Sequence, residues 1–140
     1  MPMREMDAVQ RLVKKYNSSN PFILCECLGY NVRFADIGEY RGMYRYSKRN
    51  HFITINSNLD EYLHKAVCAH ELAHAQLHKG INRVFMDTTF FRSQRYEREA
   101  DRFAAYLLLS EYDEIELNRM DINQISILTG IPVEYLKLIK

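Results

Sequence analysis

Apolar residues recur at Met6, Val9, Leu12, Val13 and Tyr16 with charged residues between them, a period that predicts an amphipathic helix over residues 4–17. Ser18-Ser19-Asn20-Pro21 interrupts that period, and Pro21 suits the first turn of a shorter helix running through Leu28 and ending at Gly29. From residue 30 to 36 the period changes to two: Tyr30, Val32, Phe34 and Asp36 alternate with polar or small partners, the pattern of a strand. Gly42–Tyr46 and His51–Asn56 are rich in Tyr, Phe, Ile and Thr and flank the polar turn Ser47-Lys48-Arg49-Asn50, which predicts a hairpin. Helical spacing resumes after Asn58, placed as an N-cap with Glu61 completing a capping box, and runs to Lys79, where Gly80 supplies a stop. Residues 81–94 carry no clean period. A further helix is expected over about 94–109, and two short ones over 121–138 around Thr129-Gly130-Ile131-Pro132.

This order of elements predicts an α+β fold, a small three-stranded antiparallel sheet packed on helices. At 140 residues the chain suits one domain, residues 1–140, with 111–140 as a small helical tail. Hydrophobic residues make up 47% and charged residues 26%, as in an ordinary globular protein. Lys plus Arg number 19 against 18 Asp plus Glu, so the net charge of +1 offers no footprint for nucleic acid or an anionic membrane. The longest apolar run, Ala104–Leu109, is too short to span a bilayer, and Met1–Asp7 lacks the apolar core of a secretory signal. Cys25, Cys27 and Cys68 cannot all pair and are expected as core thiols, which fits a reducing cytoplasm.

The chemistry concentrates in His70-Glu71-Leu72-Ala73-His74. On a helix, positions four apart lie about 40° around the axis and roughly 6 Å along it, so both imidazoles can reach one metal ion. Glu71 stands beside them, within reach of a water at the ion's open position. His-Glu-x-x-His on a helix is the signature of zinc hydrolases. The bland reading is a solvated helix face matching by accident, and a second segment, Glu97–Leu109, argues against it. Catalytic zinc takes three protein ligands and leaves one position open. Glu97 is placed to be the third, and Asp101, one turn later, is placed to accept the Nδ1 proton of a ligating histidine. Ala100 and Ala104 share that face and let the two helices approach. Glu99 is the rival third ligand; only Glu97 shares a face with Asp101, which leaves Glu99 a surface ion pair.

Two readings of His78 stay open: a residue lining the site and steadying an oxyanion, or a cap at the helix C-terminus. His51 and His64 are expected at the surface. Cys68, 200° around the helix from His70, is expected as a buried small side chain. Val84, Phe85, Met86, Phe90 and Phe91 suit either one wall or lid of a substrate cleft or ordinary core packing.

Three segments in this order resemble a known family: Ile53-Thr54-Ile55-Asn56-Ser57-Asn58-Leu59 leading into the metal helix, Ala69–His74 with the trailing Leu77-His78, and Glu97 through Ala104 to Leu107-Leu108. They resemble the ImmA/IrrE-type metallopeptidases, small zincin-like proteins of bacteria and their mobile elements, over residues from about 40 to 109. The resemblance implies a Zn2+-dependent endopeptidase with His70, His74 and Glu97 as metal ligands and Glu71 as the catalytic glutamate. Several members cleave a helix-turn-helix repressor, so the implied partner is a protein substrate of that kind, with no direct nucleic-acid or membrane partner. Ala73 replaces a glycine common in the family's helix motif, and Ser110 stands where proline is frequent; neither touches the chemistry.

The mechanism expected is metal-assisted amide hydrolysis with Glu71 as general base, and the strand ending at Asn56 is expected to offer an edge to an extended peptide. Two alternatives remain. One is a non-catalytic, zinc-organised anti-repressor module that binds its partner without cutting it. The other is a DNA-binding regulator built on the tail, Gln124–Leu136, which has helix-turn-helix rhythm but offers Glu134 and Tyr135 where a DNA reader needs Arg, Lys, Asn or Gln.

Overall fold

The computed structural model describes residues 3–79 and 90–139. Helix α1 (Met3–Tyr16) is followed by α2 (Pro21–Leu28), then strands β1 (Asn31–Ala35), β2 (Gly42–Ser47) and β3 (Asn50–Asn56). A 3-10 turn (Glu61–Leu63) leads into α3 (His64–Leu77). The second long helix of the pair, α4 (Phe90–Leu109), precedes three short ones, α5 (Glu114–Asn118), α6 (Ile122–Thr129) and α7 (Val133–Leu136).

Local chemistry accounts for several boundaries. Asn20 caps α2 by accepting from the Phe22 and Ile23 amides, Pro21 opens the helix, and Gly29 closes it in the left-handed conformation at φ 76°. Asp121 and Gln124 form a reciprocal capping box at the start of α6. The capping box expected at Asn58 and Glu61 does not form. The Asn58 amide is taken by the Asn56 side chain and the backbone enters α3 through the 3-10 turn, so the helix begins later, at His64. In α1 the buried face is Glu5, Ala8, Val9 and Leu12, shifted from the expected apolar stripe because Met6, Val13 and Tyr16 are only partly covered.

The sheet has the order β1-β3-β2. β2 and β3 form the expected antiparallel hairpin, with Gly42 opposite Ile55 and Ser47 opposite Asn50. Lys48 and Arg49 turn it at φ 50° and 66°, the paired left-handed geometry whose twist matches the strands. β1 pairs with β3 in parallel, Asn31 opposite Phe52 through Ala35 opposite Asn56, so the sheet is mixed rather than all antiparallel. The correction has a simple cause. The link at 36–41 carries β2 past the adjacent position, and β3 then fills the slot between β1 and β2. β3 is therefore the central strand, and Ile53, Thr54, Ile55 and Asn56 are all buried. The peptide-binding edge expected at β3 does not exist; the edges are β1 and β2.

Fully buried Leu24, Ile53, Ile55, Leu72, Phe103 and Leu107 form the centre of the core, each worth roughly 1.5–3 kcal/mol when withdrawn from water. Ile125, Ile131 and Leu136 of the tail belong to the same cluster. Cys25 and Cys68 are buried with their Sγ atoms 4.0 Å apart, whereas Cys27 is exposed, because it lies on the outer face of α2. Of the cleft wall or lid expected from Val84, Phe85, Met86, Phe90 and Phe91, the first three fall outside the described residues, as does the stop expected at Gly80, and Phe90 and Phe91 are described only as the backbone that opens α4.

Candidate metal centre

α3 and α4 pack directly on one another, and alanines make that possible: Ala69 and Ala73 on α3, Ala100 and Ala104 on α4, are all fully buried. His70 and His74, one turn apart, present rings with centroids 4.9 Å apart and nearly perpendicular, at 80°. Glu97 reaches them from α4, with Oε2 3.1 Å from His70 Nε2 and 3.2 Å from His74 Nε2. The three donor atoms lie within 4.8 Å of one another. A tetrahedral ion held at about 2.0–2.1 Å sets its ligands roughly 3.3 Å apart. The donor set therefore fits a divalent cation and leaves one coordination position for a substrate or water.

The far side of each imidazole is also engaged. Asp101 Oδ1 lies 2.7 Å from His70 Nδ1, where a carboxylate accepts a proton and leaves Nε2 directed at Glu97. His74 Nδ1 lies 2.9 Å from His78 Nδ1, and His78 Nε2 lies 2.8 Å from Glu99 Oε1. Burial opposes the charged form of His70, but Tyr135, hydrogen bonds to Asp101 and Glu97, and the Glu71 charge together push its pKa well up. Burial raises Glu97 too, yet the hydrogen bonds and charges of His70 and His74 hold it far below the usual carboxylate range. An ionised carboxylate held against two ring nitrogens makes a place where positive charge is favoured.

Glu71, 4% exposed, lines the cleft beside this cluster. β2 comes so close to α3 there that a Cβ at Gly42 would sit 2.7 Å from Val67 Cγ1 and 3.0 Å from Glu71 Oε2. Glycine at 42 is thus a matter of space. Buried Asn56 delivers that strand: its Nδ2 donates to the Gly38 and Tyr40 carbonyls at 2.9 and 2.7 Å, and its backbone amide donates to Arg41. The opposite wall comes from the tail. Tyr135 lies with its ring 5.9 Å from His70 at 30°, and Glu134 pairs with Arg41 at 3.3 Å across the cleft mouth. Burial, aided by Asp101 and Glu71 and opposed by His70 and Arg41, pushes the Tyr135 hydroxyl up to about 12, so it stays protonated. The open cleft between these walls has a volume of about 230 Å³.

His70, Glu71, His74, Glu97 and Asp101 thus come together, and Glu99 stands apart from the cluster. Glu99 is not a surface ion pair: its side chain is 8% exposed and meets His78, Arg95 and Arg4. Of the two readings of His78, the cap holds by position: it is the C-cap of α3, its backbone amide donating to the His74 carbonyl at 2.8 Å, while its ring, 2% exposed, does not line the cleft but packs between His74 and Glu99. His51 is not a lone surface residue either, since its Nδ1 meets the Tyr44 hydroxyl at 2.7 Å among Tyr30 and Tyr46, and His64 packs on Phe34. Tyr135, Gly42 and Asn56 escaped the sequence reading, because each acquires its place from an element docking far from it in sequence. The tail that carried helix-turn-helix rhythm ends in the four-residue α7, whose Tyr135 and Leu136 are buried and not presented as a reading face.

A small sheet beside a helix with two histidines and a glutamate, faced by a second helix that brings in an acidic donor, is a zincin-like metallopeptidase frame. The chain belongs to the family of the IrrE N-terminal-like domain, whose model matches residues 25–133. It is 42% identical over 131 residues to "Uncharacterized immunity region protein 2" of Bacillus phage phi105, covering 91% of this chain and 83% of that one. It is 28% identical over 106 residues to "Metallopeptidase ImmA" of Bacillus subtilis (strain 168), covering 74% of this chain and 62% of that one. Among the described residues no helix is long and apolar enough to cross a membrane.

Proposed function

We propose that the protein is a zinc-dependent endopeptidase that cuts one regulatory protein, a helix-turn-helix repressor of a mobile element or stress response. The observation that carries this reading is the convergence of His70 Nε2, His74 Nε2 and the Glu97 carboxylate beside buried Glu71 in an accessible cleft. His70, His74 and Glu97 would hold the ion, and two imidazoles with one carboxylate suit zinc. Zinc, when bound, supplies the Lewis acidity that polarises a scissile carbonyl and brings the pKa of water toward about 7. Glu71 takes the proton of the attacking water and hands it to the leaving amine. Tyr135, protonated at the cleft wall, donates to the carbonyl oxygen as negative charge develops there. β2, an edge strand that starts at Gly42 in the cleft, lends its outer backbone groups to an extended peptide.

The repressor as substrate rests on the resemblance described above and on the names of the two relatives, one a phage immunity region protein and the other a metallopeptidase. The test is to incubate the zinc-loaded protein with the helix-turn-helix repressor encoded beside its gene. A single defined cut, abolished by chelation and by Glu71→Gln although that variant still binds zinc, is the expected result. A cutting Gln variant overturns the role of Glu71. A stable complex without a cut assigns the anti-repressor module instead, and a strongly salt-dependent DNA shift assigns the regulator.

A further inference from the structure

Behind the ion-holding face lies a second line of buried polar groups. His74 Nδ1 and His78 Nδ1 are 2.9 Å apart, and His78 Nε2 and Glu99 Oε1 are 2.8 Å apart. Side-chain exposure along this line is 5% for His74, 1% for His78 and 8% for Glu99. The line ends on two arginines from different elements. Arg95 Nε donates to Glu99 Oε2 at 3.2 Å, one turn away on α4, and Arg4 Nη1 of α1 donates to Oε1 at 3.3 Å. Arg4 Nη2 also donates to the Leu77 carbonyl at 2.7 Å, tying the end of α3 to the same guanidinium.

The proton positions follow by elimination. A carboxylate facing two guanidinium groups is ionised and only accepts, so His78 Nε2 carries a proton and donates to it. With Nε2 committed as the donor to Glu99 and no second carboxylate among its described contacts, the His78 ring offers Nδ1 to His74 as an acceptor. Two bare or two protonated nitrogens cannot face one another at 2.9 Å, so His74 Nδ1 carries the proton and donates to His78. With Nδ1 committed to His78, Nε2 is the nitrogen that His74 turns toward Glu97, 3.2 Å away, where its lone pair is available to a cation held between them.

We infer that His78 and Glu99 are positioning residues: together they hold His74 in the Nδ1-protonated tautomer and fix its ring so that Nε2 faces the ion-binding side. The two histidines of the motif are thereby supported in different ways. Asp101 holds His70 directly, at 2.7 Å. No carboxylate touches His74 Nδ1 among the described contacts; Glu99 acts on it through an intervening imidazole. Outer partners of this kind set ligand orientation and basicity, and losing one typically lowers metal affinity about 10–100-fold.

This inference rests on the proposed metal-binding role of His74 but not on peptidase activity, and its test is separable from cleavage. In the metal-free, 15N-histidine-labelled protein, long-range proton–nitrogen correlation should find a proton on His74 Nδ1 and on His78 Nε2, with His78 Nδ1 bare. A bare His74 Nδ1 overturns the assignment. Chelator competition with Zn2+ alone gives the second readout. His78→Leu removes the acceptor while keeping apolar volume, and should bind Zn2+ about 10–100-fold more weakly. His78→Asn restores an acceptor near the Nδ1 position and should recover most of that loss. A folded Leu variant with wild-type Zn2+ affinity, or Leu and Asn variants weakened equally, shows that His78 only fills space. Should the Leu variant fail to fold, the tautomer measurement on the unaltered protein still decides the matter. A protein that passes both tests yet cuts no repressor refutes the proposed substrate and leaves the positioning role standing.

Discussion

Single residues divide by the range over which their role is set. His70, Glu71 and His74 are legible from the chain because one helical turn is a local fact, and Glu97 with Asp101 is legible for the same reason on α4. Gly42 is not, since its requirement for a missing side chain arises only when β2 settles on α3. Gly42→Ala must push Val67 or Glu71 aside, and overpacking of this kind costs about 1–3 kcal/mol. Because Glu71 is one of the two groups displaced, cleavage should fall on the order of 10²-fold while Zn2+ affinity stays nearly unchanged. Thermal unfolding, chelator competition and a cleavage assay read the three effects, and an Ala variant as stable and active as the parent would show that the contact yields freely. Tyr135→Phe keeps the ring against His70 and removes only the hydroxyl. If that hydroxyl donates in the transition state, kcat drops roughly 10²-fold with KM little changed; an unaltered kcat removes Tyr135 from the chemistry.

At the scale of elements, the helices of the first half and the hairpin follow from periodicity and capping, whereas the pairing of β1 does not. Nothing in Asn31–Ala35 distinguishes a strand that pairs in parallel with β3 from one that pairs with its nearer neighbour in sequence. The end of α3 is half legible: His78 is the terminus residue its position suggests, but the partner of its ring, Glu99, is supplied only when α4 docks. That contact has a consequence for acid stability. Burial lowers the His78 pKa to about 4 from an ordinary 6.5, with Glu99 opposing and His74 and Arg4 contributing. As pH falls through 6.5 the unfolded chain takes up a proton that the folded chain refuses until about 4, so stability is lost across that window. The loss is on the order of 2–3 kcal/mol. His70, whose folded pKa is raised, acts in the opposite sense, with stability present below its unfolded pKa and lost as pH rises through the folded one. Comparing the metal-free protein with His78→Asn cancels that part. Urea unfolding at pH 7 and pH 4.5 should show the variant losing less stability on acidification than the parent, and equal losses would place the titration elsewhere.

Across the whole molecule, α1 does more than cover the core. Its Glu5, 2% exposed, receives Arg102 of α4 at 3.0 Å, and its Arg4 reaches both Glu99 and the end of α3. Neither link is visible in the amphipathic stripe, which places Glu5 on the margin of an apolar face and gives no sign of a partner 97 residues away. Arg102→Ala strands a buried carboxylate and should cost about 3–5 kcal/mol by denaturant unfolding. Replacing both partners with Met should return most of that stability, and a single variant that unfolds like the parent would mean that water reaches Glu5 freely. The span that matches the family, residues 25–133, contains neither Arg4 and Glu5 nor Tyr135. A chain trimmed to that span would keep every group assigned to the ion and the proton transfer. It would surrender the brace behind the two long helices and the aromatic shutter in front of the cleft, and so would own the tools of a hydrolase without the bench that steadies them.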